Sequence, residues 1–410
     1  MKILHCIAQL PNRTGSGIYY RSLISQIDQQ ENWKQAGIFG LNERHLAPWL
    51  QLNKEYSVQF ETHNLPFPIV GMSDEMPYDS TKYSDMTDDM MEKWKRAFIS
   101  KLMEAKEEFN PEIIICHHLW ILCSLVLEVF PDTPIIGISH GTDIRQAKQN
   151  PAIAREHVGS LRGLTKVLAL SKSDIEDIST LFDIEKNQIL VTGGAYNHSV
   201  FYPGRNKKEQ YNKPKVNIVY AGKIADSKGV FELVEAYAKA RQHYSEMSLH
   251  LFGKESDETR ERIGKLSNHD PTIRLFDVVS QEVLANHMRS SDIFVFASYY
   301  EGLGLIALEA LASGLHLVSN TLPGLREQLG EELCCEPIIS WVELPELENF
   351  DEILESERDA YVEKLRDAIL NQVYKITTNC EDICFPHDKI KDHTWESLAK
   401  RIMIILEDLI

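Results

Sequence analysis

Ser298-Tyr-Tyr-Glu301-Gly302-Leu303-Gly304-Leu-Ile-Ala-Leu-Glu309-Ala-Leu-Ala-Ser313-Gly314 is the stretch on which the reading of this chain turns. Two carboxylates stand eight positions apart, with a Gly-x-Gly turn between them and then a run of good helix formers. The segment before it, Asp292-Ile-Phe-Val-Phe-Ala297, is apolar, and its Phe and Val suit a buried strand. The local plan is therefore strand, glycine loop, helix. Such a loop presents free backbone N–H groups at a helix N-terminus, where an anion is favoured. Glu301 falls in the loop, and Glu309 about five residues into the helix, roughly 7 Å along its axis. A diphosphate flanked by a sugar and a ribose fits that spacing.

A helix with two surface glutamates shares the spacing. It does not share the preceding strand, the glycine loop, or the tail Ala-Leu-Ala-Ser-Gly leading to the next strand. Together these resemble the signature of the retaining glycosyltransferases of family 4, the group 1 transferases of GT-B fold. The resemblance implies that Glu301 contacts a donor sugar, that the amides of Gly302, Leu303 and Gly304 face a diphosphate, and that Glu309 binds ribose hydroxyls.

Other loops extend the resemblance over essentially the whole chain, more firmly in the second half than in the first. Ala221-Gly222-Lys223-Ile-Ala-Asp226-Ser-Lys228-Gly229 follows the apolar run Val216–Tyr220 and opens a helix near Val230. Lys223 and Lys228 there would neutralise a diphosphate. Lys223 stands where the family carries Arg, so the charge is kept and the bidentate fork is lost. Ser139-His140-Gly141-Thr142-Asp143 resembles a loop whose His lies near the reacting end of the donor sugar. This puts His140 beside Glu301 and Lys228 as the catalytic group. In Gly15-Ser16-Gly17-Ile18 the third glycine of a dinucleotide fingerprint is missing, so NAD binding is not supported. Gly17 is the candidate there for close backbone approach to the donor. Arg13, His118 and Asp143 are candidates for the acceptor side. Gly193 replaces the family's Asn in the segment Val191–Pro203, and Pro323-Gly324-Leu-Arg326-Glu327 resembles the family's glycine turn after the next strand.

Length and composition set the frame. The 410 residues are 43% hydrophobic and 25% charged, which suits a globular chain of two domains. Strand-like runs alternate with helical ones: Ile3–Ala8, Glu112–Cys116, Pro134–Ser139, Val167–Leu170, Val216–Tyr220, Ser248–Phe252, Ile293–Ala297 and Leu315–Ser319 against Ile18–Ile27, Trp94–Glu107, Lys172–Thr180, Val230–Ala240 and Gln281–Met288. This alternation predicts α/β architecture with parallel sheets covered on both faces. A polar, Pro- and Gly-interrupted stretch at Val200–Lys215 marks a boundary. The expected organisation is an acceptor-side Rossmann-like domain over 1–200 and a donor-binding one over 201–390. The two doubly wound domains would face a central cleft, and a helix over 391–410 would cross back to the first domain. That crossing is implied by the resemblance alone. Residues 70–90, acidic and rich in Met and Tyr, read as a long surface loop or an acceptor contact.

The net charge of −18, spread over both halves, argues against nucleic acid. No run of 18 apolar residues suggests a membrane span. Seven cysteines without a framework, and a first segment without an export pattern, point to reduced thiols and the cytoplasm. A peripheral position at the inner face of a membrane is left open. Cys380-x3-Cys384-x2-His387 lacks a clear fourth ligand, and no Asp-x-Asp pair stands at the donor motif, so no metal is expected. The expected activity is transfer of a hexose from a nucleotide diphosphate sugar, UDP-linked for preference, with no other cofactor. The acceptor is open among glycan, lipid-linked sugar, protein and small molecule, and so is assembly into a homo-oligomer. Competing readings are a 2-epimerase or inverting transferase of the same fold, or a silent sugar-nucleotide-binding partner subunit.

Overall fold

Seven strands in the first half of the chain, four of them the apolar runs named above, pair into one parallel sheet. They are β1 (Lys2–Ile7), β2 (Lys34–Leu41), β3 (Lys54–Gln59), β4 (Ile113–His117), β5 (Ile135–Ile138), β6 (Lys166–Ala169) and β7 (Ile189–Val191). Their order is β3-β2-β1-β4-β5-β6-β7, with Cys6 of β1 opposite Ile38 on one side and Cys116 on the other. Every residue of β4 and β5 is buried, as expected for strands covered on both faces. The order reverses between β1 and β4, so the crevice of this sheet opens beyond their carboxyl ends. The structure, a computed structural model, describes residues 1–44, 50–73, 75–204, 214–254, 256–348, 352–378 and 385–410.

Helix α1 (Gly15–Ile27) starts at Thr14, whose hydroxyl accepts from the Gly17 amide. Helix α2 (Asp88–Glu108) starts at Thr87 in the same way, with Asp88 and Asp89 in its first turn, where carboxylates suit the helix dipole. It buries Met91, Trp94, Phe98, Leu102 and Ala105, a spacing of three or four residues that keeps one face on the core. The sequence expectation began this helix at Trp94, because its first turn is charged and shows no apolar period. The described part of residues 70–90 is largely exposed or half-buried but is anchored by a few side chains. Met72, Tyr78 and Tyr83 are buried in the core of this unit, and Tyr83 packs edge-on against Trp94 and Trp120.

The second sheet contains β8 (Val216–Ala221), β9 (Met247–Phe252), β10 (Ile273–Phe276), β11 (Ile293–Phe296), β12 (His316–Asn320) and β13 (Ile339–Val342). Their order is β10-β9-β8-β11-β12-β13, all parallel, and it reverses between β8 and β11. Helices α3 (Val230–Arg241), α4 (Leu305–Ala312), α5 (Pro323–Cys334) and α6 (Glu355–Thr377) cover it. The chain forms two units, Met1–Gly193 with Trp395–Ile410, and Gly194–Thr394. The last helix, Trp395–Glu407, packs in the first unit, where the Trp395 ring meets Tyr19 edge-on at 5.0 Å.

Trp94 is fully buried and tilted against Phe98 with ring centroids 4.4 Å apart. Trp94→Ala is expected to destabilise the first unit by about 3–5 kcal/mol, the cost of a large aromatic cavity. Urea unfolding followed by fluorescence and circular dichroism measures it.

Candidate functional site

The two loops at the reversal point of the second sheet carry the residues singled out in the sequence. After β8 the chain runs through Gly222 and the exposed Lys223 to a short turn, Asp226–Lys228, and enters α3 through Gly229. After β11 it runs through Ala297–Gly304 and enters α4. The loops are stitched together. The Tyr299 amide donates to the Ser227 carbonyl at 3.2 Å, and Gly229 is pressed against the Ala297 carbonyl so closely that an added Cβ would overlap it. Lys228 Nζ donates to Glu301 Oε1 at 2.6 Å, an ion pair about a quarter exposed on each side.

Below the loop, Asn320 at the end of β12 donates to the carbonyls of Ala297 and Ser298 at 2.9 and 3.0 Å. Tyr361 of α6 donates in turn to Asn320 Oδ1 at 2.8 Å. A further ionic cluster lies nearby, in which Arg358 of α6 binds the buried Glu232 at 3.0 Å and forks onto Glu235 of α3 at 2.6 and 3.0 Å. A buried carboxylate left without its guanidinium is costly, so this cluster fixes α6 to α3. None of Asn320, Tyr361 and Arg358 was picked out in the sequence. Each acts through a partner far along the chain, which no local motif records.

Gly304 takes a left-handed conformation, φ 63°, and starts α4. The amides of Gly302, Leu303 and Gly304 have no backbone partner among the described residues. They join the open N–H groups of the first helical turn. Gly324, second in α5, lies under the Gly302 carbonyl with no room for a side chain. The starts of α3, α4 and α5 therefore gather at this one loop. Glu309 is half-buried, and burial pushes its carboxyl up to about 8, with no ion-pair partner among the described residues. Further along the same sheet edge, beyond β9 and β10, a cavity of about 480 Å³ is lined by Lys254, Ser256, Asp257, Arg260, Asp277 and Val278.

The remaining sequence candidates lie at the carboxyl edge of the first sheet. His117 Nδ1 and His140 Nε2 are 3.1 Å apart, so one ring must donate and the other accept. Tyr19 meets both rings edge-on, at 5.8 and 5.2 Å. Of this cluster His5, His117 and His118 are buried, and His140 alone retains exposed surface. His118 holds φ 72°, a strained value for a non-glycine residue. Burial drives His5 and His118 down to about 4 and holds His117 and His140 well below the ordinary range, with neighbouring histidines adding to the effect on these last two.

Three further candidates, Asp143, Gly17 and His118, are buried. Asp143 has no exposed surface. Its carboxylate accepts from the Leu119 amide at 2.9 Å, Ser139 Oγ at 3.0 Å and the Ile144 amide at 3.1 Å, which binds the loops after β4 and β5 to each other. What it holds is the chain, because a buried carboxylate is stable only when its oxygens are occupied. Gly17 is required for a close approach to the chain itself, since a Cβ there would stand 2.7 Å from the Asn12 amide. His118, expected on the acceptor side, lies inside the histidine cluster. Arg13 is exposed at φ 65° on the loop after β1. Cys380 and Cys384 lie outside the described residues.

Two Rossmann-like units, each a parallel sheet with one reversal point, define a GT-B protein. Over 100% of this chain and 98% of that one, the structure is similar to sucrose-phosphate synthase from Thermosynechococcus elongatus, with TM-score 0.67 and 15% identity. It is also similar to Anabaena Alr3699/HepE in complex with UDP and glucose, with TM-score 0.62 and 13% identity over 100% of both chains. Residues 204–368, most of the second unit, match the family described as glycosyl transferases group 1. The chain is 26% identical to the D-inositol 3-phosphate glycosyltransferase of Arthrobacter sp. (strain FB24) over 232 residues, 52% of this chain and 55% of that protein. It thus spans about half the length of the curated relatives it matches.

Two pH effects follow from these surroundings. The folded protein prefers Glu309 protonated, whereas the unfolded chain loses that proton in the usual carboxylate range. Stability should therefore fall as pH rises from that range to about 8, and Glu309→Gln should flatten the fall. The buried histidines act on the acid side. The folded state keeps them neutral while the unfolded chain binds protons below 6.5, so their contribution is full above that pH and drains away towards 4. Melting temperature measured from pH 4 to 9 on the parent and on Glu309→Gln tests both.

Proposed function

We propose that the protein is a retaining glycosyltransferase that moves a hexose from a nucleotide diphosphate sugar to an acceptor hydroxyl. The observation that carries this reading is the Lys228–Glu301 ion pair at the reversal point of the second sheet, beside the open amides that start α4. A cation, a carboxylate and free N–H groups together suit a ligand that is an anion on one side and a polyol on the other. In the structure the cation and the carboxylate satisfy each other.

In this reading Lys228, Lys223 and the amides of Gly302–Gly304 take the diphosphate, Glu301 turns to the sugar hydroxyls, and Glu309 accepts from the ribose. The cavity beyond β9 and β10 receives the nucleoside end. His140, the exposed edge of the histidine cluster, is the proposed catalytic group, and its ring nitrogen shares a hydrogen bond with His117. The bond from the anomeric carbon to the phosphate oxygen breaks, and the nucleoside diphosphate leaves with the electron pair. The acceptor oxygen bonds to that carbon on the same face and gives its proton to the departing phosphate. Charge grows on the phosphate as the bond stretches, and prearranged cations and amides stabilise that charge without reorganisation. The donor is taken as UDP-linked. Support comes from the UDP and glucose named for the Anabaena neighbour, and from the group 1 match over the unit that would bind them. The acceptor is a hydroxyl on a glycan, lipid-linked sugar, protein or small molecule, and the site of action is the cytoplasm.

Thermal shifts with UDP, GDP, ADP and TDP test the donor site. A diphosphate at 100 times its dissociation constant stabilises by about 2.7 kcal/mol, and one of the four is expected to stand out. Lys228→Ala should lower turnover by about 10²–10³. Unchanged melting with all four nucleotides, on folded protein, would sink the proposal.

A further inference from the structure

The chain passes between its two units twice, at Gly193–Gly194 and at Thr394–Trp395. Both passages lie within a residue or so of one buried side chain of α5. Gln328 accepts from the Gly194 amide with Oε1 at 2.7 Å and donates to the Gly194 carbonyl with Nε2 at 3.1 Å. The other Nε2 hydrogen goes to His393 Nδ1, also at 3.1 Å. A side-chain amide is the right group for this task. Its oxygen and nitrogen pair with the N–H and C=O of a single residue, as a neighbouring strand would, and one hydrogen remains for a second acceptor. Neither a carboxylate nor an apolar side chain can make all three bonds. The two passages are also tied directly, since the Tyr196 amide donates to the His393 carbonyl at 3.0 Å and Tyr196 bridges to Thr394.

The same residues touch the donor-side loop. A Cβ on Gly194 would stand 2.9 Å from Leu303 and 2.7 Å from Leu305, so the backbone at the first passage lies directly on the glycine loop and the start of α4. Helix α5 sets its second residue, Gly324, under the Gly302 carbonyl and reaches Gln328 about one turn later, before its break at Gly330. We infer that Gln328 is a positioning residue that clips both passages of the chain to the donor-side loop, so that a ligand seated on the loop stiffens the two passages. Coupling of this kind needs a contiguous run of packed and hydrogen-bonded groups, and Gly302, Gly324, Gln328, Gly194 and Leu303 form a closed circuit. Gln328 touches no substrate and acts through Gly194 and His393. The inference rests on the donor-site reading only for its choice of ligand.

Hydrogen exchange of the full-length protein, read by mass spectrometry on peptides covering 190–200, 298–306 and 388–398, tests it. Without nucleotide, Gln328→Leu is expected to speed exchange in the first and third peptides about tenfold and to leave 298–306 at the parent rate. Gln328→Glu keeps the acceptor for the Gly194 amide but cannot donate to His393, so it should speed exchange mainly in 388–398. This second variant decides the question if the first does not fold. With saturating UDP the parent should slow exchange in all three peptides, and Gln328→Leu in 298–306 alone. Parent-like exchange at both passages in both variants overturns the clip. If UDP protects no peptide in the parent, UDP binding at this loop is what has failed, and the nucleotide-free comparison still decides the role of Gln328.

Discussion

Two contacts between backbone and backbone, each with room only for glycine, hold the second unit's loop in shape. Gly229 meets the Ala297 carbonyl and Gly324 meets the Gly302 carbonyl. The first lets α3 start against the end of β11, and the second lets α5 start against the loop that feeds α4. Helix N-termini carry unpaired N–H groups and a partial positive charge, so gathering three of them concentrates donors and field at one place. A side chain at either glycine would push the helix starts apart and dilute that field. The ion pair between Lys228 and Glu301 sits where it does because the first of these contacts brings their loops together.

Polar groups fixed from below keep the loop rigid. Asn320 spends both of its amide hydrogens on the carbonyls of Ala297 and Ser298, and its oxygen is taken by Tyr361. A buried network that is fully satisfied specifies one arrangement, because any shift leaves a donor or acceptor unpaired. The histidine cluster of the first unit works on a different principle. Rings stack and meet edge-on in a space that burial keeps uncharged, and the polar edge reaches the surface only at His140. Asp143, buried and saturated by the chain, supplies the rigidity there that Asn320 supplies in the second unit.

Local signals made part of this readable. The strand, glycine loop and helix of residues 292–312 were legible because each element's chemistry lies in contiguous residues: β-branched and aromatic for the strand, Gly-x-Gly for the turn, Ala and Leu for the helix. Strands β2 and β3 were not assigned. Lys34–Leu41 contains Gly37 and Gly40, which weaken any strand propensity, yet both are needed in the fold. A Cβ at Gly37 would run into Leu52 and the Tyr20 hydroxyl, and one at Gly40 would stand 2.7 Å from the Ala8 carbonyl. The first turn of α2 was missed because its signal is a capping Thr87 and two aspartates, not an apolar period.

The sequence by itself determined the α/β class, the parallel sheets and the loop that bears Glu301, since period, propensity and turn chemistry are properties of neighbouring residues. It also singled out Lys228 and Glu309 as candidates beside that loop. Only the tertiary structure decided that Lys228 pairs with Glu301 across 73 positions, that Asp143 and Gly17 serve the chain itself, and that Asn320, Tyr361 and Gln328 support the site at all. These are contacts between distant segments. Their partners are chosen by strand order and packing, and a hydrogen-bonding side chain looks the same in sequence whether it faces water or holds a loop 134 residues away.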